Sequence, residues 1–157
     1  MKLRAILLPA LILILGSAVF SVADTDNQLP WRTDYEAAVR DAAETGRPLL
    51  LKFTGSDWCP PCKRLNAEVF ETDEMIAYAT DEIVPIYVDF PRRKPLPADL
   101  KAQNSALADE FGVRSYPTVW IVSADGQKLG HLGYQQGGPK SYIRSIKRIL
   151  RNATTEG

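Results

Sequence analysis

The sequence predicts an α/β fold with a central mixed β-sheet flanked by helices on both faces. Two observations carry this. Apolar runs of strand length alternate with stretches of helical spacing, in the order helix, strand, helix, strand, helix, strand, strand, helix. The last two strands are joined by a hairpin turn, Ala124-Asp125-Gly126-Gln127. With 157 residues and no internal repeat, the chain holds one domain and a leader.

Each element has a local reason. Thr33 or Asp34 caps a helix from about Tyr35 to Thr45, and Gly46 stops it. Pro48 opens Leu49-Leu50-Leu51-Lys52-Phe53, short and apolar enough for a buried strand. After the loop Thr54-Gly55-Ser56-Asp57-Trp58, a helix is expected from Cys59, with Leu65, Val69 and Phe70 inward. Asp73 restarts a helical turn carrying Met75, Ile76 and Tyr78. Ile83 to Phe90 is the second strand, Val84, Ile86 and Val88 on one face and Tyr87 on the other. A basic, proline-rich loop, Pro91-Arg92-Arg93-Lys94-Pro95-Leu96-Pro97, follows. Leu107, Ala108 and Phe111 then show helical spacing, ended by Gly112. Thr118 to Val122 and Lys128 to Gly133 form the hairpin. Pro139 opens a last helix with Tyr142, Ile143, Ile146, Ile149 and Leu150 inward, and Arg151 to Gly157 is expected to fray.

Composition narrows the function. Nineteen basic residues cancel nineteen acidic ones, so bulk charge does not point to nucleic acid. Two cysteines exclude a multi-disulfide scaffold, and with His131 as the sole histidine they leave too few ligands for a cysteine/histidine zinc site. Met1 to Ala23 reads as a secretory signal, with Lys2 and Arg4, an apolar run, and Ser21-Val22-Ala23 before the cut. Cleavage leaves residues 24–157 as the mature domain, with 17 basic and 19 acidic groups. An uncleaved anchor is the alternative, disfavoured because the apolar run is shorter than a full span. The expected location is periplasmic or otherwise exported, where disulfides persist.

The chemistry lies in Trp58-Cys59-Pro60-Pro61-Cys62-Lys63. Two cysteines three apart at a helix start can close and reopen a small disulfide ring. Unpaired amides and the helix dipole favour a thiolate at Cys59, the expected exposed nucleophile, with Cys62 as the shielded resolving thiol. Pro60 and Pro61 fit a first helical turn but remove two amide donors near Cys59, a weak bias toward a reductant. Lys63 opposes that bias through its charge, and by standing where a histidine would be required it excludes haem attachment. A purely structural disulfide is the bland alternative, in a ring too small to constrain much chain entropy.

On these residues, on strand Leu49 to Phe53 and on Tyr116-Pro117-Thr118, the chain resembles the thioredoxin superfamily from about Trp31 to Leu150. It is most similar to exported bacterial members and the C-terminal domain of the thiol:disulfide interchange reductase. The resemblance implies a thioredoxin-like fold and dithiol–disulfide exchange. It also implies a cis Pro117 facing the cysteines, and Tyr116 backbone groups that pair with a bound peptide. Trp58, Pro60, Pro61, Tyr116 and Pro117 are then the substrate-binding residues.

One departure stands out. Family members carry a buried acid in the strand before the motif, where this chain has Lys52 or, without a one-residue loop allowance, Phe53. Buried, Lys52 would shed its proton and could act as a base toward Cys62. The preferred reading has it at a strand edge, snorkelling to water. His131 is expected on the surface or sheet face, away from catalysis, and Arg92-Arg93-Lys94 as a solvated loop or a docking patch for an acidic partner. No metal and no organic cofactor are expected, since no glycine-rich dinucleotide turn occurs. Partners are thiol- or disulfide-containing exported proteins and a membrane thiol–disulfide electron donor, met by a monomer. An oxidase or isomerase of the same fold and a non-catalytic peptide-binding module remain open. Cytochrome maturation is less favoured, because the insertion its proteins often carry is lacking.

Overall fold

The computed structural model describes residues 28–155; the secretory-signal reading of residues 1–23 lies outside them. Helix α1 (Tyr35–Thr45) starts where the Asp34 carboxylate accepts the Ala37 N–H at 2.9 Å. It stops at Gly46, whose φ of 70° is the left-handed conformation that glycine adopts at little cost. Strand β1 (Leu49–Thr54) is buried at all six positions. Helix α2 (Pro60–Leu65) runs into a single π turn at Asn66–Phe70, and Thr72 caps α3 (Asp73–Glu82). Leu65, Val69 and Phe70 face inward as expected, but through a widened turn and not a continuous α-helix.

Strand β2 (Val84–Asp89), helix α4 (Ala98–Glu110), strands β3 (Thr118–Val122) and β4 (Lys128–Leu132), and helix α5 (Gly138–Thr155) complete the chain. The sequence left the start of α4 open, because its first turns carry little apolar pattern to read: its buried residues are Asn104 and Leu107. One end differs from expectation. Helix α5 continues through Arg151 to Thr155 where fraying was expected.

The sheet order is β2-β1-β3-β4. β1 runs parallel to β2 and antiparallel to β3, with Lys52 opposite Tyr87 on one side and Val119 on the other. The segment before α1 adds a parallel bridge from Arg32 to Ile86 on the outer side of β2. There Arg32 N–H donates to the Pro85 carbonyl at 3.0 Å, and Tyr87 N–H to the Arg32 carbonyl at 2.8 Å. This bridge sets Trp31 against the sheet, its ring 5.6 Å from that of Tyr87.

Alternation along β1 divides the core. Leu50 packs with Leu65, Phe70, Met75, Tyr142 and Ile146 under α2, α3 and α5. Leu49, Leu51 and Phe53 pack with Ala38, Ala42, Leu107 and Phe111 under α1 and α4. Each large apolar side chain buried this way contributes about 1.5–3 kcal/mol. The mixed sheet flanked by helices on both faces is the predicted class. Its consequence for the site is that β1, which leads directly into the cysteine motif, occupies the interior of the sheet.

Candidate active site: a disulfide at the start of a helix

Cys59 is the N-cap of α2, with extended dihedrals, and Pro60 and Pro61 fill the first helical positions. Its sulfur accepts the Cys62 N–H at 3.3 Å and is bonded to the Cys62 sulfur, the Cα atoms 5.3 Å apart. One of the two amides left by the prolines therefore points at the Cys59 sulfur. The other, of Lys63, is taken by the Cys59 carbonyl at 3.1 Å and does not serve the sulfur. This arrangement favours negative charge on Cys59 when the bond is reduced.

The expected exposed tip is not found in this oxidised state. Cys59 and Cys62 are each only 2% exposed, so burial does not distinguish them. The N-cap conformation turns the Cys59 side chain back over the helix start, where the bond to Cys62 holds it inward. The asymmetry between them is electrostatic: the Cys59 sulfur accepts the backbone amide of Cys62 in the first turn of α2.

Around the disulfide, Pro60 and Pro61 are exposed, Trp58 and Tyr116 half-buried, and Pro117 buried. The sheet brings these together, since Thr118 lies opposite Phe53 at the end of β1 from which the motif departs. The Tyr116–Pro117 peptide is cis, as the resemblance implied. Trp58 and Tyr116 meet edge to face at 5.9 Å, and Phe90 stacks on Tyr116 at 5.2 Å. The Trp58 indole N–H donates to the Phe90 carbonyl at 2.8 Å. Gly55 makes room for it, because a Cβ there would lie 2.4 Å from the indole ring.

Two aspartates of this rim were not anticipated as site residues. The Asp57 carboxylate accepts the N–H groups of Arg92 and Arg93 at 3.0 and 2.6 Å, which holds its pKa below the usual carboxylate value. Asp89 accepts the Ser56 amide and hydroxyl at 2.9 and 2.6 Å, tying β2 to the motif loop. For Asp57 the signal was an aspartate beside serine, which marks a turn but not its distant partner; Asp89, at the end of a strand between Val88 and Phe90, carried none. His131 is exposed on β4, its ring 4.7 Å from that of Trp120.

Lys52 overturns the edge reading. It stands on a central strand, is 2% exposed, and cannot reach water along a sheet margin. Its ammonium hydrogen-bonds to the Asn66 side-chain oxygen. It lies 4.4 Å from the centre of the Trp31 ring and 4.7 Å from those of Phe70 and Tyr87. Burial pushes its pKa down to about 7, against the pull of Glu71 and Asp89. Asn66 in turn donates its backbone N–H to the Cys62 carbonyl, so one residue joins the lysine to the turn of the resolving thiol. Two residues along the same face, the Thr54 hydroxyl is buried and has no hydrogen-bond partner among the described residues. Trp31 and Asn66 were not foreseen here, since both arrive through long-range packing.

A family described as Thioredoxin-like domain matches residues 35–140, from α1 to the start of α5. The chain belongs to the thioredoxin-like family. Within this family, disulfide bond reductase DsbH of Chlamydia pneumoniae is 28% identical over 123 residues, covering 78% of this chain and 74% of that protein. Thiol:disulfide interchange protein DsbD of Ralstonia nicotianae is 28% identical over 123 residues, 77% of this chain but only 18% of that protein. The solved structure of DsbH oxidoreductase superposes with a TM-score of 0.76 at 27% identity, covering 79% of this chain and 85% of that one. Together with the bonded Cys59–Cys62 pair, this makes the thioredoxin-like chain a thiol–disulfide oxidoreductase.

Proposed function

We propose that this chain acts as an exported disulfide reductase for protein substrates. The observation that carries the reading is the Cys59 sulfur, bonded to Cys62 and accepting its amide at the cap of α2. Likeness to a disulfide bond reductase over most of that protein's length supports the direction of electron flow.

In the reduced protein the Cys59 thiolate attacks one sulfur of a substrate disulfide. A mixed disulfide forms, and the substrate's other sulfur leaves as a thiolate. Cys62 loses its proton and attacks the Cys59 sulfur, re-forming the Cys59–Cys62 bond and releasing the second substrate thiol. Two electrons pass from the dithiol to the substrate, and a membrane thiol–disulfide donor restores them. The substrate chain lies along Tyr116-Pro117, against Trp58, Pro60 and Pro61. Lys52, its pKa lowered by burial to about 7, is the proposed acceptor of the proton that Cys62 loses. In the oxidised state Cys59 is only 2% exposed, so re-reduction by the donor begins with the rim giving way around the sulfur. No helix among the described residues is long and apolar enough to cross a membrane, and export rests on the leader read from residues 1–23.

The test is reduction of peptide disulfides by the reduced protein, with the potential of the Cys59–Cys62 couple. Cys59→Ser abolishes turnover, and Cys62→Ser accumulates the mixed disulfide. A potential at the reducing end, about −270 mV, supports the reading, whereas one near about −120 mV makes the protein an oxidase. Peptide binding without turnover in the wild type leaves only a binding module. For Lys52, Lys52→Met removes the inflection near pH 7 from the rate of mixed-disulfide resolution; an unchanged profile ends its role as a base.

A further inference from the structure

The segment between β2 and α4 lies beside the disulfide and carries a charge that the exchange chemistry does not use. Arg92, Arg93 and Lys94 are exposed in sequence order, and Lys101 of α4 lines the same pocket of about 490 Å³. Among the described residues none of the four forms an ion pair. The nearby carboxylates are already engaged. Asp57 holds the Arg92 and Arg93 amides, and Asp89 holds Ser56. The loop is also fixed in place. Besides the Asp57 clamp, the Asn104 amide donates to the Asp89 carbonyl at 2.9 Å, and the Arg92 guanidinium lies 3.7 Å from the centre of the Trp58 ring. Trp58 directly precedes Cys59, so the positive field begins one residue from the reacting sulfur. Lys63 extends it across the motif, its ammonium 3.2 Å from the Asp57 carbonyl.

We propose that residues 91–97 form a substrate-selecting subsite that draws an acidic peptide segment beside the target disulfide. Arg92, Arg93 and Lys94 offer charge to its carboxylates, and this rests on the exchange reading of the same site. A fixed array of unpaired cations accelerates encounter with an oppositely charged chain, and salt removes the advantage. The subsite does no chemistry and changes no bond. It selects which disulfides meet Cys59.

The test uses the reduced full chain and three peptides sharing one disulfide, flanked by glutamates, serines or lysines. At low salt the wild type reduces the glutamate-flanked peptide about tenfold faster than the lysine-flanked one in kcat/KM. Raising salt to about 1 M, where the Debye length is about 3 Å, collapses the difference. The double variant Arg93→Glu with Lys94→Glu reverses the order while reducing the serine-flanked peptide at the wild-type rate. Both side chains are exposed and neither supplies the amide bonds to Asp57 through its side chain, so the loop keeps its anchor. Equal wild-type rates on all three peptides, or a variant slowed equally on all three, overturns the subsite and leaves the reductase reading standing. Failure of the wild type to reduce even the serine-flanked peptide overturns both.

Discussion

Lys52 and Arg92 both press a cation against aromatic rings close to the Cys59–Cys62 bond. Lys52 lies 4.4 Å from the Trp31 centroid and reaches the Cys62 turn through Asn66; Arg92 lies 3.7 Å from the centroid of Trp58, the residue before Cys59. One is 2% exposed and the other is open to water. Contact with ring faces favours a charge by about 0.5–2 kcal/mol. The fall of the Lys52 pKa from 10.5 to about 7 corresponds to roughly 5 kcal/mol, so lost hydration outweighs the rings. Arg92 stays exposed and keeps its hydration. The same pairing of cation and ring thus yields a proton-exchanging group inside and a solvated positive charge outside.

The sharpest way to break this comparison is the pH dependence of stability. Below pH 7 Lys52 is protonated in folded and unfolded chains alike, and the fold bears the full cost of the buried charge. Between pH 7 and about 10 the folded chain sheds the proton while the unfolded chain keeps it, so stability rises with pH. Denaturant unfolding of the oxidised protein should show a gain of up to about 1.4 kcal/mol per pH unit from pH 7 to 9.5. Above that window tyrosines such as Tyr87, with its pKa pushed up to about 12, contribute the opposite slope. Lys52→Met should flatten the rise. Identical slopes in the two proteins would show that the amine stays hydrated.

A smaller effect is expected at the rim. Gly55→Ala places a Cβ 2.4 Å from the Trp58 indole and should cost about 1–3 kcal/mol in thermal or denaturant unfolding. A neutral outcome would mean that Trp58 and its Arg92 partner move freely. Asp57→Ala acts locally: the Arg92 and Arg93 amides should exchange with solvent about tenfold faster or more, with the core amides unchanged. In the wild type the same loosening appears as pH falls through the depressed Asp57 pKa, because protonation removes the acceptor. The least effect belongs to Arg92→Gln, about 0.5–1 kcal/mol of stability, as befits an exposed cation on a ring.

Legibility in the sequence followed the range of the interactions. The Asp34 cap, the Gly46 stop, the extent of α1, strand β3 and the helix start at the motif depend on neighbours within a turn, and each was readable. The beginning of α4 was not, because a helix capped by Pro97 with few apolar residues carries little local signal. The cysteines and Tyr116-Pro117 were legible as a motif, and the structure brings them to the same end of the sheet. The burial of Cys59 was not, because it depends on where the sulfur turns once bonded.

By itself the chain's order of residues determined an α/β fold and a dithiol at a helix start, since periodicity, capping and proline placement act over a few residues. Tertiary structure alone decided what Lys52 is. Its neighbour strands come from more than thirty residues away on one side and more than sixty on the other, and Trp31 is delivered by the bridge beside β2. Whether a side chain meets water is a property of everything packed around it, and no local pattern contains that information.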